Sequence, residues 1–539
     1  MKTNLKLIAM LFATLLMGLT ACDKKQDAPN ALTGENAYVT LALRLPSVST
    51  RAGVADKHQG DLYGGTADES KVSKVLVGFY KGDDCAARAL LDASNATGTF
   101  TGNDVAATGS NQTKLVTKAV KVPAIGTTDS YDVVVFFNPT SEVESKIQVG
   151  LTKAELEKAS NYDEAKIVTA DGIMMSNAKG YVNVEQNKLY NTAEEAEAAA
   201  ANKIEITVER AVAKVFVNNT MNSTVGQGQI KDAKLELLGW KLDVTNKLLF
   251  NMRQMDKALV KPYSTVATTA TTLAAETADS ERIDSYAKDP NFDKAGGQYY
   301  PDDFNYLNVA TGATTTPTVN PTGFTSADLW APGYNDADGK YVAENTMLAP
   351  SQYRDITTLA LFAIKVTPKV LEGTSETNYI VYGGSAYTID KIKEYLALVP
   401  NDPHGELQHM PASFVADVKK FSADGSTDGS NELKAKIEAA VAAKAPFNEH
   451  GFALYIDLIN YYEMPIRHFT NEQQMKTMEY GRYGLVRNNI YKLTVNSVKQ
   501  FGSPIVPEPG HEPDDPNVMY ISLSVELLPW LVRESDYDL

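Results

Sequence analysis

Cysteine, histidine and positive charge are scarce in this sequence. Its 539 residues include two cysteines and six histidines, too few for a disulfide framework or a cysteine-rich zinc module. Lys and Arg total 51 against 67 Asp and Glu, so the net charge is −16. That charge excludes a sequence-independent nucleic-acid binder, which needs a cationic face, and it excludes attachment to anionic lipid by charge alone.

The first 22 residues have the pattern of an export signal. Lys2 and Lys6 precede an apolar stretch at 7–19 that is short for a membrane span, and no later apolar run is long enough for one. The stretch ends in Leu19-Thr20-Ala21-Cys22, the pattern of a bacterial lipobox. We expect cleavage before Cys22 and its modification with lipid, including palmitate. A plain secretory peptide with a chance cysteine is the alternative.

Alternation of apolar and polar residues predicts strands along much of the chain. It is clearest at 38–45, where Val39, Leu41, Leu43 and Leu45 share one face and Thr40 and Arg44 lie on the other. Further strands are expected at 74–80, 131–137, 204–208, 212–217, 234–240, 358–366, 379–382, 453–460 and 489–498. Helices are expected after the capping box Thr152-Lys-Ala-Glu155, at 193–201, and at 431–445 with Ser430 as its cap. Strands outnumber helices and do not alternate with them, which indicates a mostly β chain of sandwich-like domains.

The C-terminal sequence predicts an isolated strand behind an extended linker. Residues 502–518 contain five prolines and four acidic residues, which excludes a helix or a central strand. Ile521, Leu523, Val525 and Leu527 then alternate with polar residues until Pro529. A lone strand must join a sheet edge to pair its backbone, either on its own domain or on another molecule. The length of the linker favours another molecule.

Several short motifs follow the lipobox in a fixed order. They are Thr50-Arg51-Ala52-Gly53, Val208-Glu-Arg210-Ala-Val-Ala-Lys214, Leu238-Gly239-Trp240, Glu344-Asn345-Thr346 and Val486-Arg487-Asn488-Asn489-Ile490-Tyr491. This series resembles the Bacteroidetes fimbrial-subunit family, and within it the stalk subunits of the short (Mfa-type) fimbriae. The resemblance covers essentially the whole chain. It implies a mostly β fold, with two tandem transthyretin-like β-sandwich domains, a few short helices and a C-terminal donor strand.

The resemblance also implies a route of assembly. The subunit is exported as a lipoprotein to the outer membrane, and an arginine-specific protease cuts after Arg51, so that the mature chain begins at Ala52. The cut removes the strand with Val39, Leu41, Leu43 and Leu45, and the donor strand of another subunit, with Ile521, Leu523, Val525 and Leu527, takes its place. The corresponding segments are a signal peptide (1–22), a propeptide (23–51), an N-terminal domain (52–217), a C-terminal domain (218–501), a linker (502–518) and a donor segment (519–539).

The expected function is therefore that of a major stalk subunit of a cell-surface fimbria that supports adhesion and biofilm formation. Its expected partners are further copies of itself, joined head to tail, minor and anchor subunits, the protease and surface receptors. A minor or tip subunit is one alternative. A glycan-binding lipoprotein that stays anchored through Cys22 is another. We expect no enzyme, metal or cofactor, since His404 and His409 are five residues apart and do not share a helical face.

Overall fold

The computed structural model describes residues 32–45, 69, 71–92, 114–199, 203–221, 226, 228–254, 288–308, 326–423, 428–468 and 482–514, together with the backbone of 521–529. Cys22, Arg51 and Ala52 lie outside these residues. Within them, no helix is both long and apolar enough to cross a membrane.

The first part of the chain forms strands around one apolar core. The strands are β1 (Asn36–Val39), β2 (Leu41–Arg44), β3 (Lys74–Lys81), β4 (Asp84–Asp92), β5 (Lys114–Val116), β6 (Val120–Pro123), β7 (Ser130–Phe137), β8 (Ser160–Asn161), β9 (Val168–Thr169), β10 (Gly172–Ile173), β11 (Met175–Asn177), β12 (Val182–Glu185) and β13 (Ile204–Arg210). Eight of them form one sheet in the order β4-β3-β7-β11-β13-β2-β5, with β12 also paired to β7. The first core lies against this sheet and also includes residues of β1 and β6.

The second part of the chain forms a β-sandwich. Its strands are β14 (Val212–Asn219), β15 (Lys234–Asp243), β16 (Thr245–Asn246), β17 (Leu248–Leu249), β18 (Phe304–Asn305), β19 (Lys340–Ala343), β20 (Leu359–Thr367), β21 (Tyr379–Tyr382), β22 (Ser385–Thr388), β23 (Phe447–Glu449), β24 (Phe452–Tyr455), β25 (Ile459–Pro465), β26 (Asn489–Val498) and β27 (Ile521–Pro529). The sheets β19-β14-β26-β27 and β15-β20-β25 both contribute residues to a second core. The mostly β, sandwich-like fold predicted from the sequence is confirmed.

Seven short α-helices accompany the strands in the described part of the chain. They are α1 (Ser141–Lys146), α2 (Lys153–Glu157), α3 (Glu164–Ile167), α4 (Ala193–Ala198), α5 (Ile389–Leu398), α6 (Phe414–Lys419) and α7 (Ser430–Ala443). The capping box predicted at Thr152 makes no side-chain cap bond, whereas Thr192 and Glu195 form a complete one at α4. Ser430 is the first residue of α7, and its cap is Gly429, at a φ of 78°.

The strand predicted at 453–460 is wrong, because β24 and β25 are two strands. Asp457 and Leu458 lie between them with φ values of 52° and 65°, which an extended strand does not allow.

The break between β24 and β25 marks the end of an insertion in the second part of the fold. β20 and β25 pair directly, with Lys365 opposite Ile459, so the chain between them is an insertion. The insertion holds β21–β24 and α5–α7 and has an apolar core of its own.

The sheet changes between Arg210 and Val212, a few residues before the domain boundary predicted at 217. β13 pairs with β11 and β2, whereas β14 pairs with β19 and β26. A third apolar cluster joins the two parts at this point, because it contains residues of β3, β7, β14 and β26 as well as of α1–α3.

Buried ion pairs surround this junction. Lys214 Nζ lies 2.5 Å from Glu69 Oε1, and the Tyr341 hydroxyl donates to the same oxygen at 2.7 Å. Arg210 Nε donates to the Glu69 carbonyl oxygen at 3.0 Å. Burial lowers the pKa of Arg210 to about 10, and Glu69 opposes that shift. Glu69 thereby contacts residues of both sheets, Arg210 in β13 and Lys214 in β14.

The motifs behind the family resemblance meet at the same junction. Arg487 Nε donates to Glu344 Oε2 at 3.0 Å, and both side chains are at least 99% buried. Arg210 Nη1 donates to Asn488 Oδ1 at 3.4 Å. Arg253 forms a two-point contact with Glu209, at 2.8 and 2.5 Å. The contacts of Arg210 with Asn488 and of Glu209 with Arg253 therefore join the two parts of the fold, whereas Glu344 and Arg487 both belong to the second part.

We expect Glu344→Gln to destabilise the uncut subunit by about 3–5 kcal/mol, because it leaves the Arg487 guanidinium buried without a carboxylate. The matched control is Glu449→Gln, which removes an exposed contact with Lys436 and is expected to cost about 0–1 kcal/mol. Denaturant unfolding measures both variants. Equal losses of stability for the two would show that the buried pair has no special role.

Candidate functional site

The N-terminal segment occupies a slot inside the first part of the fold. β1 pairs antiparallel with β6, and β2 lies between β13, to which it is parallel, and β5, to which it is antiparallel. Both edges of β2 are therefore bonded, as in an interior strand. β1 and β2 precede all other described elements, so a single cut after β2 would separate both strands from the rest of the described chain.

The apolar face predicted for this segment is confirmed, but the strand is buried more completely than its pattern indicates. Val39, Leu41, Leu43 and Leu45 are each at most 6% exposed and belong to the first core. On the opposite face, where a polar surface was expected, Thr40 is buried and its hydroxyl donates to the Ala196 carbonyl oxygen of α4 at 2.9 Å. Helix α4 covers that face, and the sequence alternation contains no signal for it.

The last residues of the segment approach solvent. Arg44 forms a two-point contact with Glu205 of β13, at 3.1 and 2.7 Å, and both side chains are more than 40% exposed. A pair of this exposure contributes little to stability. Arg51 and Ala52, the predicted cleavage residues, come six and seven positions after Leu45 and lie outside the described part of the chain.

The C-terminal strand β27 lies at the edge of its own sheet. It pairs antiparallel with β26, from Ile521 opposite Val498 to Pro529 opposite Asn489. Leu523, Val525 and Leu527 stand opposite Val495, Leu493 and Tyr491, which are all buried in the second core. The sequence left open whether this strand joins its own domain or another molecule, and in this structure it joins its own domain.

Residues 502–514, which we call the strap, are extended as predicted but are not a free linker. Ser503 and Tyr461 exchange backbone hydrogen bonds of 2.9 and 2.8 Å, which fastens the strap to the edge of β25. Asn308 Nδ2 donates to the Val506 carbonyl oxygen at 2.6 Å. The composition of the strap excluded regular structure but could not reveal these partners, which lie far away in the sequence.

The distal half of the strap is fixed by side chains. The Tyr299 hydroxyl donates to the Pro509 carbonyl oxygen at 2.9 Å, and its ring packs against His511. His511 Nδ1 lies 2.8 Å from Asp355 Oδ2. Burial raises the pKa of Asp355, and the contact with His511 opposes that shift. At the end of the strap, the Thr357 hydroxyl donates to Asp514, whose side chain is fully buried.

In the part of the chain that the structure describes, no group of three or more His, Cys, Asp or Glu side chains is arranged to hold a metal ion. Cys85 is a buried free thiol. Tyr299 and Tyr462, each next to a second tyrosine in the sequence, are less than 10% exposed.

The comparisons with known proteins concern the same C-terminal region. Residues 453–536 match the family model described as major fimbrial subunit protein type IV, fimbrillin, C-terminal. The match spans β24–β27 and the strap. No curated protein gives a significant sequence match.

Two solved structures resemble the chain over most of its length. One is a fimbrilin (FimA) from Porphyromonas gingivalis, with 13% identity, coverage of 93% of this chain and 99% of that one, and a TM-score of 0.39. The other is the tip fimbrial protein Mfa3 from the same organism, with 9% identity, coverage of 92% and 100%, and a TM-score of 0.33. The sequence comparison therefore shows a likeness at residues 453–536 to the C-terminal part of fimbrial subunits of the fimbrillin type.

Proposed function

We propose that this fimbrial subunit is a major stalk subunit that polymerises by strand exchange and has no catalytic role. The observation that carries the proposal is the slot of β2, an interior position filled by a segment that precedes every other described element. In this proposal the precursor is anchored through Cys22 at the outer membrane. Cleavage between Arg51 and Ala52 empties the slot, and the C-terminal strand of another copy fills it.

The energetics favour a long-lived joint. Val39, Leu41, Leu43 and Leu45 are all buried, and burial of each such side chain is worth roughly 1.5–3 kcal/mol. An incoming strand with an equivalent apolar face would regain on the order of 6–12 kcal/mol, against several kcal/mol for association and ordering. A contact of this head-to-tail kind does not close on itself, so it builds a filament.

The two positions open to β27 are not equivalent. On its own sheet β27 is an edge strand, bonded to β26 alone among the described strands. In the slot, a strand is bonded on both sides, to β13 and β5, and α4 covers its second face. Backbone pairing does not depend on which copy supplies the partner strand. The emptied slot of one copy therefore competes for the β27 of another copy with the β26 of that other copy.

A second candidate function is a terminal or tip subunit of the same fimbria. The observation that favours it is the pairing of β27 with its own β26, because a subunit that keeps this strand donates nothing. A glycan-binding lipoprotein that stays anchored through Cys22 is a weaker alternative. Adhesion, biofilm formation and the other partners (minor and anchor subunits, an arginine-specific protease and surface receptors) belong to the proposal as consequences of a surface filament.

The first prediction concerns processing. We expect surface material to begin at Ala52, and we expect Arg51→Ala to abolish filament assembly, because the slot stays filled by β1 and β2. N-terminal sequencing and electron microscopy of cells make the two measurements. Arg51→Lys is the matched variant, since it keeps the charge but removes the side chain that an arginine-specific protease requires. Normal fimbriae from the Arg51→Ala protein would contradict the proposal.

The second prediction distinguishes a β27 that pairs with another subunit from a β27 that stays paired with β26 of its own subunit. The Arg51→Ala chain has a filled slot but keeps its donor strand, whereas a cleaved chain lacking residues 515–539 has an empty slot and no donor. We expect a mixture of the two to form one-to-one dimers and nothing longer, and we expect each protein alone to stay monomeric. Light scattering coupled to size exclusion measures the masses. A mixture that remains monomeric would favour the terminal-subunit role.

The third prediction concerns the face of the donor strand. Leu523→Asp is expected to abolish the mixed dimer, because an unpaired carboxylate on the buried face costs more than the lost apolar contact. Ser524→Asp, one residue along, is expected to reduce the dimer less than about tenfold, because alternate positions lie on opposite faces. Both substitutions are made in the donor chain of the same mixture. Equal damage from the two would mean that the register is shifted by one residue.

A further inference from the structure

We propose that the strap stays docked on its own subunit when β27 pairs with another subunit, so that the donor strand is delivered from a fixed point beside Asp514. The proposal rests on the strand exchange described above and adds a positioning role for residues that touch neither the donor strand nor the slot. These residues are Tyr299, Asn308, Asp355 and Thr357, all of which contact the strap.

The contacts of the strap differ in kind from those of β27. The strand β27 is held by a ladder of backbone hydrogen bonds to β26, and any strand edge can offer such a ladder. The strap is held by particular side chains at particular carbonyl groups, as in the hydrogen bonds from Asn308 to Val506 and from Tyr299 to Pro509. Another copy can replace the first set of contacts, but the side chains that make the second set are already occupied in every copy by that copy's own strap.

Undocking the strap would also leave buried polar groups without their partners. The Asp355 side chain is fully buried and accepts from His511 as well as from the Gly297 backbone N–H. The Asp514 side chain is fully buried beside Thr357. Loss of a partner inside a protein costs more than loss of the same bond in water. The ordering cost of the docked strap is low, since its prolines already restrict the chain.

A docked strap limits how far the donor strand reaches. Seven Cα–Cα steps separate Asp514 from Ile521, and a fully extended chain of that length covers about 25 Å. From Val498, the end of β26, the count is 23 steps, which correspond to about 80 Å for an undocked chain. A docked strap therefore confines the slot of the neighbouring subunit to a small region near Asp514. The joint then has one geometry, as a straight stalk requires.

A reversible cross-link tests the proposal directly. Tyr353 and Pro513 face each other as an antiparallel pair, flanked by the hydrogen bonds from Arg354 N to Glu512 O and from Asp514 N to Gln352 O. In a pair of this type the Cα atoms are about 4.5 Å apart, within the range of a disulfide. The double variant Tyr353→Cys/Pro513→Cys locks the distal end of the strap when it is oxidised. Cys85 is buried and stays in place.

We expect cleaved subunits of the double variant to form filaments at rates within twofold of each other in the oxidised and reduced states. Assembly that stops on oxidation and resumes on reduction would overturn the proposal, because it would show that the strap must detach. Should the variant assemble in neither state, hydrogen exchange of the unmodified protein decides. The amide of Arg354, which donates to Glu512, should be equally protected in subunit and filament. Loss of its protection in the filament would also overturn the proposal.

A matched pair of threonines tests the positioning role. Thr357→Val removes the hydroxyl that contacts Asp514, whereas Thr358→Val removes one that contacts the Val244 carbonyl oxygen, away from the strap. We expect the first to speed amide exchange of the strap about tenfold and to give curved filaments. We expect Thr357→Ser to restore straight ones and Thr358→Val to leave them straight. Curvature that is the same in both valine variants would contradict the role. If the unmodified cleaved chain forms no filament at all, strand exchange itself fails.

Discussion

The pairing of every buried strand edge is the constraint on which the rest of this structure depends. β2 lies between β13 and β5 and therefore satisfies both edges at once, while its side chains fill the first core. Removal of this one segment would expose two unpaired edges and an apolar groove together. Such a groove would accept a strand with the same alternation, and residues 521–527 of this chain have that alternation.

The buried polar contacts divide the molecule into a fixed frame and exchangeable strands. The ion pairs of Glu69 with Lys214 and of Glu209 with Arg253 hold the two parts of the fold at their junction. The strap is fastened to the same frame through Asp355 and Thr357. β1 and β2 stand outside this set, because backbone pairing and apolar burial account for most of their contacts, and β27 is held to β26 by a backbone ladder. The elements that the proposed assembly exchanges are thus the ones whose interactions another copy can reproduce.

The sequence was most informative where a local pattern decides the structure. Period-two alternation identified β2 and β26, and the apolar face of Val39, Leu41, Leu43 and Leu45 is confirmed, because burial on one side of a strand leaves a direct trace in the residue order. The resemblance that the motifs showed also holds at the level of the family. Sequence reasoning did not connect these motifs with one another. Arg210, Glu344 and Arg487 are far apart in the chain, and only the fold brings their charges to one junction.

Where sequence reasoning failed, the deciding contacts come from distant parts of the chain. Proline and acidic residues correctly excluded regular structure in the strap, yet its fixed position depends on Tyr299, Asn308 and Asp355, more than 150 residues away. Likewise, the break between β24 and β25 follows from two left-handed residues, Asp457 and Leu458, that return the chain from the insertion to β20. Composition reports what a segment cannot form, but it does not report what the segment touches. For the proposed assembly the difference matters, because a free linker and a docked strap imply different filaments. The first would give a flexible string of subunits and the second a joint of fixed geometry.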